Sequence, residues 1–148
     1  MKGIVCSVCG FIAIDGAAPE KCPVCYSPKK VFSEKDDAIV TPSSATDKVE
    51  ANKKHIPVIL VVKKCGLLPD SGCTDINVKV GEITHPMLPE HFIMYIDCYH
   101  DKQFISRIHL TPGKLNPAAG LHLKVSSGKF IAIEKCNLHG SWMTEIEL

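Results

Sequence analysis

The chain has 148 residues, enough for one ordinary domain or for a domain with a small module attached. Seventeen basic residues against sixteen acidic ones leave a formal net charge of +1, so nothing indicates binding to nucleic acid. No apolar run is long enough to cross a bilayer, and no apolar stretch of a secretory signal precedes the first cysteine, so we expect a cytoplasmic protein without membrane contact. The informative residues are eight Cys and seven His, because closely spaced cysteines in a reducing compartment more often bind metal than form disulfides.

Four of the cysteines lie within the first 33 residues, as two Cys-x-x-Cys pairs separated by twelve residues: Cys6 with Cys9, and Cys22 with Cys25. Each pair places two thiolates on one tight turn, and two facing turns complete a tetrahedral four-thiolate site. A segment this small needs a stabilising element such as a bound metal, because it cannot bury enough apolar surface to fold alone. The spacing fits a structural zinc ribbon and a one-iron redox centre of rubredoxin type equally well.

Residues 34–51 are rich in charged and small polar side chains and have no sustained apolar period, which predicts a linker. From residue 52 to residue 148, apolar and polar residues alternate in short runs separated by turn sequences. This alternation is typical of strands with one buried face, and about seven of them predict an antiparallel β-sandwich. No helical period stands out. Because a linker separates the two parts, we expect the sandwich to fold without residues 1–33.

Four histidines and one further cysteine form a second candidate metal site, because all of them lie at predicted strand ends or in loops: His55, His85, His91, Cys136 and His139. The Cys-x-x-His spacing of the last two lets a sulfur and an imidazole share one metal. Five ligands fit a closed zinc site poorly, whereas several imidazoles and one thiolate suit iron with an open sixth position. A thiolate opposite that position pushes electron density toward a bound small molecule, which favours reduction of an oxygen species.

The first 33 residues resemble the rubredoxin-like module of rubrerythrins. The resemblance rests on three runs: Cys6-x-x-Cys9-Gly10-Phe11, Ala18-Pro19-Glu20-Lys21-Cys22-Pro23-Val24-Cys25 and Lys30-Val31-Phe32. It implies iron in the four-cysteine site, with zinc as the alternative metal. Tyr26 departs from the small residue usually found after the last cysteine of this module.

Residues 52–148 resemble the catalytic domain of desulfoferrodoxin and neelaredoxin, the superoxide reductases. Three blocks carry the resemblance: Lys54-His55-Ile56-Pro57-Val58-Ile59, Val80-Gly81-x-x-x-His85-Pro86-Met87-x-x-x-His91-Phe92-Ile93-x-Tyr95-Ile96 and Cys136-Asn137-Leu138-His139-Gly140-x-Trp142. The family implies an immunoglobulin-like sandwich with a ferrous centre that has four equatorial histidines and one axial cysteine. By motif, these ligands are His55, His85, His91 and His139, with Cys136 axial.

The resemblance implies an oxidoreductase of oxidative stress detoxification, which reduces superoxide to hydrogen peroxide by one electron and makes no dioxygen. Lys54 is then the catalytic residue that draws the anion in. The four-cysteine iron would return an electron to the oxidised centre, after a redox protein such as rubredoxin or its reductase has supplied it. A homodimer or higher homo-oligomer is expected. The alternative is a non-catalytic iron protein for electron transfer or sensing, and a further one is a β-sandwich binding module held by structural zinc.

Two features depart from the family pattern. The Glu-Lys pair that often precedes the first histidine is Lys53-Lys54 here, so the motif carboxylate is missing. A longer loop around residues 67–74 contains Cys73, for which, with Cys65, free thiols are expected rather than a disulfide. No ligand role is assigned to the remaining histidines, His100, His109 and His122.

Overall fold

The structure is a computed structural model that describes residues 1–44 and 49–148. Within these residues the strands are β1 (Gly3–Cys6), β2 (Ile12–Ala13), β3 (Phe32–Lys35), β4 (Pro57–Val62), β5 (Thr74–Val80), β6 (Ile93–His100), β7 (Gln103–His109), β8 (Ala118–Leu123), β9 (Lys129–Cys136) and β10 (Gly140–Glu147). The helical segments are two 3-10 turns, Lys29–Val31 and Pro42–Ser44, and the α-helix α1 (Val49–His55). None of the described helices has the length and apolar character needed to cross a membrane.

The seven strands β4 to β10 form a sandwich of two antiparallel sheets. The larger sheet has the order β10-β9-β6-β7, and the smaller one has the order β4-β5-β8. Alternate residues of β5 point into the space between the sheets: Ile76, Val78 and Val80 are all buried there against Ile96 and Phe130. The predicted antiparallel β-sandwich, preceded by a small module, is therefore confirmed.

The first three strands form a separate small sheet in the order β2-β1-β3, which carries the two cysteine turns. This module packs on the outer face of the larger sandwich sheet, where Phe11 and Ile12 form a second apolar core with Tyr99, Ile131 and Ile133. The ring of Phe11 stacks on Tyr99 at 6.1 Å, and the Tyr99 hydroxyl donates a hydrogen bond of 2.8 Å to the Ile12 carbonyl. Because both faces of β6 and β9 are covered, most residues of these strands are buried, and burial does not alternate along them.

A buried ion pair adds a polar anchor between the module and the sandwich. Arg107 on β7 donates from Nε and Nη2 to the two carboxylate oxygens of Asp97 on β6, both at 2.6 Å. Its remaining nitrogen, Nη1, donates to the Cys9 carbonyl at 2.7 Å, and its guanidinium lies 3.6 Å from the centre of the Tyr95 ring. Since the ion pair is almost fully buried, removing either charge would leave the other unpaired in the interior.

The expectation that the sandwich folds without residues 1–33 conflicts with this packing. Removal of the module would expose Tyr99, Ile131, Ile133 and Met143, which are at most 8% exposed in the intact chain. Sequence periodicity does not reveal this contact because it reports which face of a strand is buried, and not which partner covers it. The two parts are therefore coupled through a shared core.

The predicted linker, residues 34–51, is only partly a linker. Its first two residues complete β3, and Ile39 is buried in the core between module and sandwich. Val40 then pairs with β10: its N–H donates to the Ser141 carbonyl, and its carbonyl accepts from the Met143 N–H, both at 2.9 Å. Residues 45–48 lie outside the described residues. The boundaries 1–33, 34–51 and 52–148 thus remain a proposed division by function rather than by packing.

The end of the predicted linker forms the helix α1, which was not predicted from the sequence. Its seven residues span only two turns, too few for an apolar period to be seen. The helix is favoured by Ala51 and by an i,i+4 pair in which Lys54 Nζ lies 3.1 Å from Glu50 Oε1. Its last residue is His55, so this helix sets the position of the first candidate ligand.

Candidate metal centres

Four imidazole rings lie at the corners of a square at one end of the sandwich. Neighbouring ring centres are 4.5–4.9 Å apart in the order His55, His85, His91, His139 and back to His55, with interplanar angles of 72–80°. His55 and His91, on a diagonal, are 6.3 Å apart. Such a ring of nearly perpendicular imidazoles leaves a central point that all four can reach, which is an equatorial plane for a metal.

For two of the four rings, His55 and His85, hydrogen bonds to backbone carbonyls select which nitrogen faces the centre. The Nδ1 atoms of His55 and His85 contact the carbonyls of Ala51 (2.8 Å) and Pro86 (2.7 Å), so their Nε2 atoms, 3.3 Å apart, point inward. His91 Nε2 is buried and makes no hydrogen bond to any described residue. His139 points Nδ1 inward, 3.2 Å from His55 Nε2. Carbonyl acceptors on the outer nitrogens fix the tautomer, as metal-binding histidines require.

The protonation of these rings suits metal binding. Burial lowers the pKa of His55 and His91 below the ordinary value, and it lowers the pKa of His85 to about 4. The three imidazoles are therefore neutral near pH 7, which is the form that binds a metal.

Cys136 supplies the fifth donor from the sandwich core. It is fully buried at the end of β9, and its Sγ lies 3.5 Å from His139 Nδ1. Burial raises the pKa of this thiol, so a thiolate at this position needs a nearby cation such as a bound metal. All five donor atoms lie within 4.8 Å of one another, so the structure brings together every ligand predicted for this site.

Local turns explain how distant segments converge. Leu88 and His91 exchange two backbone hydrogen bonds of 3.0 and 3.1 Å, which close a tight turn over Pro89 and aim His91 at the centre. The Asn137 side chain joins this turn to the β9–β10 hairpin: its Oδ1 accepts from Phe92 N–H at 2.9 Å, and its Nδ2 donates to the Glu90 carbonyl at 3.0 Å.

Two further residues of this region had no role predicted from the sequence. Trp142 stacks on His55 at 4.9 Å and donates from Nε1 to the His139 carbonyl at 3.1 Å, so it holds two corners of the square. Glu134 on β9 is fully buried without a hydrogen-bond partner among the described residues, and burial raises its pKa well above the ordinary range. A buried acidic residue two positions before Cys136 is the signal that would have drawn attention to it.

An open cleft lies over one side of the imidazole square. It is bordered by His55, His91 and His139, together with other residues: Val40, Glu50, Ala51, Lys54, Leu138 and Trp142. Cys136 does not border it, because the thiol faces the core. Lys54, with its partner Glu50, therefore borders a cleft from which a small molecule can reach three of the four imidazoles.

The four N-terminal cysteines also converge. Cys6 Sγ lies 3.7 Å from Cys25 Sγ, and Cys9 Sγ lies 3.5 Å from Cys22 Sγ. Four sulfurs about 2.3 Å from a tetrahedral metal would be about 3.8 Å apart, so this spacing fits a metal. Hydrogen bonds with Ser27 lower the pKa of Cys25 to about 6, which favours the thiolate form.

The two cysteine turns repeat one geometry. Gly10 and Tyr26 each follow a Cys-x-x-Cys pair, each donates a 2.9 Å hydrogen bond to the carbonyl of the first cysteine, and each has a positive φ, +73° and +60°. The usual small residue suits this conformation, and Tyr26 adopts it with an exposed side chain. At Gly10 no side chain is tolerated, because a Cβ atom would lie 2.6 Å from the Tyr95 hydroxyl.

Two family models match the chain. One, described as desulfoferrodoxin, matches residues 47–145, and the other, described as the rubredoxin-like domain of rubrerythrin, matches residues 5–33. The chain is 32% identical over 143 residues to a desulfoferrodoxin of Desulfarculus baarsii, covering 95% of this chain and 92% of the relative. It is 36% identical over 107 residues to a superoxide reductase of Pyrococcus abyssi, covering 65% of this chain and 88% of the relative.

A solved structure has a similar fold. The superoxide reductase (neelaredoxin) from Ignicoccus hospitalis superposes with a TM-score of 0.62 at 28% identity, covering 75% of this chain and 94% of that one. The chain belongs to the desulfoferrodoxin family, with a rubredoxin-like domain at its N-terminus. Both kinds of domain bind iron, and the two clusters described above are where this chain can hold it.

Proposed function

We propose that this chain is a superoxide reductase, which reduces superoxide to hydrogen peroxide by one electron. The observation that carries the proposal is the square of four imidazoles closed on one side by a buried thiol and open on the other. Relatives named superoxide reductase that match over most of their own length support it.

The residues present fit iron at this site. Four imidazole nitrogens and one sulfur lie within 4.8 Å of one another, with His91 Nε2 buried and otherwise unpartnered among the described residues. A closed structural zinc site takes only four ligands, so five converging donors argue for a metal that accepts six positions. When bound there, ferrous iron supplies the electron for the reduction. His55, His85, His91, His139 and Cys136 are the residues that would hold it.

The surrounding residues prepare the site for a small anion. The outer nitrogens of His55 and His85 are held by backbone carbonyls, so the rings keep their orientation through a reaction cycle. Cys136 lies in the apolar core, where a thiolate that held the metal would interact with it strongly because little water screens the charge. The cleft opposite is exposed to solvent, from which the two protons of peroxide arrive.

Lys54 is the residue we assign to anion capture. Its ammonium group borders the open cleft, whereas the neighbouring Lys53 borders a different surface pocket with Ile56 and Val58. The carboxylate of Glu50, 3.1 Å from Lys54 Nζ, partly neutralises this charge. The glutamate of the family motif is replaced by Lys53 in this chain. Glu50 supplies a carboxylate at the border of the cleft.

We further propose that the four-cysteine centre supplies the electron that restores the reduced site. Cys6 and Gly10 of the module border one cleft with Lys135 and His139 of the sandwich. The Arg107 hydrogen bond to the Cys9 carbonyl, the contact of Arg107 with the Tyr95 ring, and the pairing of Tyr95 with Lys135, next to Cys136, connect the two centres through packed atoms. A redox protein such as rubredoxin, or its reductase, would then donate electrons to the four-cysteine centre. We propose that this takes place in the cytoplasm and that the chain forms a homo-oligomer.

Rapid mixing of the fully reduced, iron-loaded protein with superoxide tests the catalytic proposal. We expect second-order consumption of superoxide, together with appearance of the visible absorption of the ferric thiolate centre. A non-catalytic electron carrier or sensor would react no faster than the spontaneous decay of superoxide in matched buffer, and that result would overturn the proposal. Zinc in place of iron at the five-ligand site would also overturn it, since zinc has no redox chemistry.

The electron supply has its own test in the same apparatus. After one equivalent of superoxide, the four-cysteine iron should become oxidised as the five-ligand iron returns to the reduced state. The control is a Cys9→Ser variant, in which oxidation of the five-ligand iron should persist. If the five-ligand iron stays oxidised in the intact protein as well, the N-terminal centre does not serve as its electron donor.

A further inference from the structure

A third cluster of metal-binding side chains lies at the other end of the smaller sheet. Cys65 follows β4, Cys73 immediately precedes β5, and Asp75 is the second residue of β5. His122 on β8 is the cross-strand partner of Asp75. Three separate segments therefore bring two thiols, a carboxylate and an imidazole to one place, although no motif joins His122 to the two cysteines.

The donor atoms converge on the imidazole nitrogen His122 Nδ1. It lies 3.2 Å from Cys65 Sγ, 3.6 Å from Cys73 Sγ and 2.7 Å from Asp75 Oδ1. All four donor atoms lie within 4.8 Å of one another. A tetrahedral zinc with Zn–S near 2.3 Å and Zn–N near 2.0–2.1 Å separates sulfur from nitrogen by about 3.5 Å, so the two sulfur–nitrogen distances fit.

The burial and hydrogen bonding of the two thiols are those expected of metal ligands. Cys65 and Cys73 are only 5% and 6% exposed, although the loop between them is largely exposed. The Leu68 N–H donates to Cys65 Sγ at 3.2 Å, which is the kind of backbone bond that stabilises a thiolate. The side chain of His122 is 40% exposed, so a metal can enter from solvent.

We propose that Cys65, Cys73, Asp75 and His122 bind a structural zinc ion. Two thiolates, one imidazole and one carboxylate are all donor types that zinc accepts, and four of them give the closed tetrahedral coordination typical of structural zinc. The ion fastens the β4–β5 loop to β8. Because Asp75 and Val80 are five residues apart on β5, the site lies roughly 17 Å along the strand from the end that carries His85. It is therefore separate from the five-ligand centre and does not depend on the proposed catalytic function.

Metal analysis of the full-length protein tests this site. The protein is purified under reducing conditions, loaded with iron, exposed to Zn²⁺ and freed of excess metal by gel filtration. We expect one tightly held zinc per chain in addition to iron. X-ray absorption at the zinc edge should show two sulfurs near 2.3 Å and two nitrogen or oxygen atoms near 2.0–2.1 Å.

Two variants locate the zinc. His122→Ala and Cys73→Ser should each lose the equivalent of zinc, whereas His109→Ala, which removes an exposed strand histidine outside the cluster, should keep it. The stoichiometry and absorption spectrum of the unmodified protein decide the matter even if a variant fails to fold.

Several results would overturn the proposal. A four-sulfur zinc environment alone would place the ion in the N-terminal site. Absence of retained zinc, or an unchanged zinc spectrum in Cys73→Ser, would show that the cluster does not bind it. A disulfide between Cys65 and Cys73 in the reduced preparation, detected by mass spectrometry after alkylation, would identify the pair as a covalent cross-link instead.

Discussion

Replacing Phe11 with Ala should weaken the sandwich as well as the module that contains it. The Phe11 ring is 3% exposed and contacts three aromatic rings: Tyr99 at 6.1 Å and Phe104 at 5.2 Å on the sandwich, and Phe32 at 6.2 Å in the module. Truncation of a buried Phe to Ala costs about 3–5 kcal/mol. Because two of the three ring contacts cross to the sandwich, roughly two thirds of this, about 2–3 kcal/mol, should be coupling between the two parts.

Urea unfolding of the iron-loaded protein measures this coupling. The sandwich is followed by the fluorescence of Trp142, the one tryptophan of the chain, and the module by the visible absorption of its iron site. We expect both transitions to move to lower urea in Phe11→Ala. Leu60→Ala, at a 63% exposed position on β4, is the matched control and should move neither by more than a few tenths of a kcal/mol. A shift of the module transition alone, with the sandwich transition unchanged, would refute the shared core.

Three further predictions concern the five-ligand centre. Cys136→Ser should abolish fast superoxide reduction and the visible ferric band, because a hydroxyl cannot supply the electron donation of a thiolate; retention of both would mean that Cys136 is not the axial ligand. Lys54→Ala should slow the second-order reaction with superoxide by about 10-fold at low ionic strength and flatten its salt dependence. Lys53→Ala should change this rate little, and Glu50→Gln should raise it. Equal effects of the two lysine variants would contradict the role assigned to Lys54. The metal-free protein should lose stability as the pH falls from about 6.5 toward 4. His85 takes up a proton in this range in the unfolded chain, whereas in the folded protein burial lowers its pKa to about 4 and the ring stays neutral. A urea midpoint that does not change across this range would contradict the burial of a neutral ring.

The two iron-binding clusters were predictable because each is encoded by short motifs. A Cys-x-x-Cys turn fixes the direction of two sulfurs locally, and in the second site Pro89 and the turn at His91 do the same for an imidazole. The strands were also within reach, since alternating residues on β5 identify a face that must be buried. The resemblance to superoxide reductases then joined blocks that are far apart in sequence.

What could not be predicted depends on contacts between distant segments. The packing of Phe11 and Ile12 on Tyr99 is invisible to periodicity, because an apolar strand covered on both faces looks like any other buried strand. His122 occupies an exposed position in an ordinary alternating strand, and only the pairing of β5 with β8 places it beside Asp75 and the two cysteines. The helix that ends at His55 is too short to produce a visible period.

The products of the superoxide reaction test the central claim most directly. The reduced, iron-loaded protein is mixed with a known amount of superoxide in the presence of an electron donor, and both hydrogen peroxide and dioxygen are measured. One-electron reduction predicts one hydrogen peroxide for each superoxide consumed and no dioxygen beyond that of spontaneous decay. Formation of one dioxygen for every two superoxide ions would reveal a dismutase, and that result would contradict the function proposed for the site of four histidines and one cysteine.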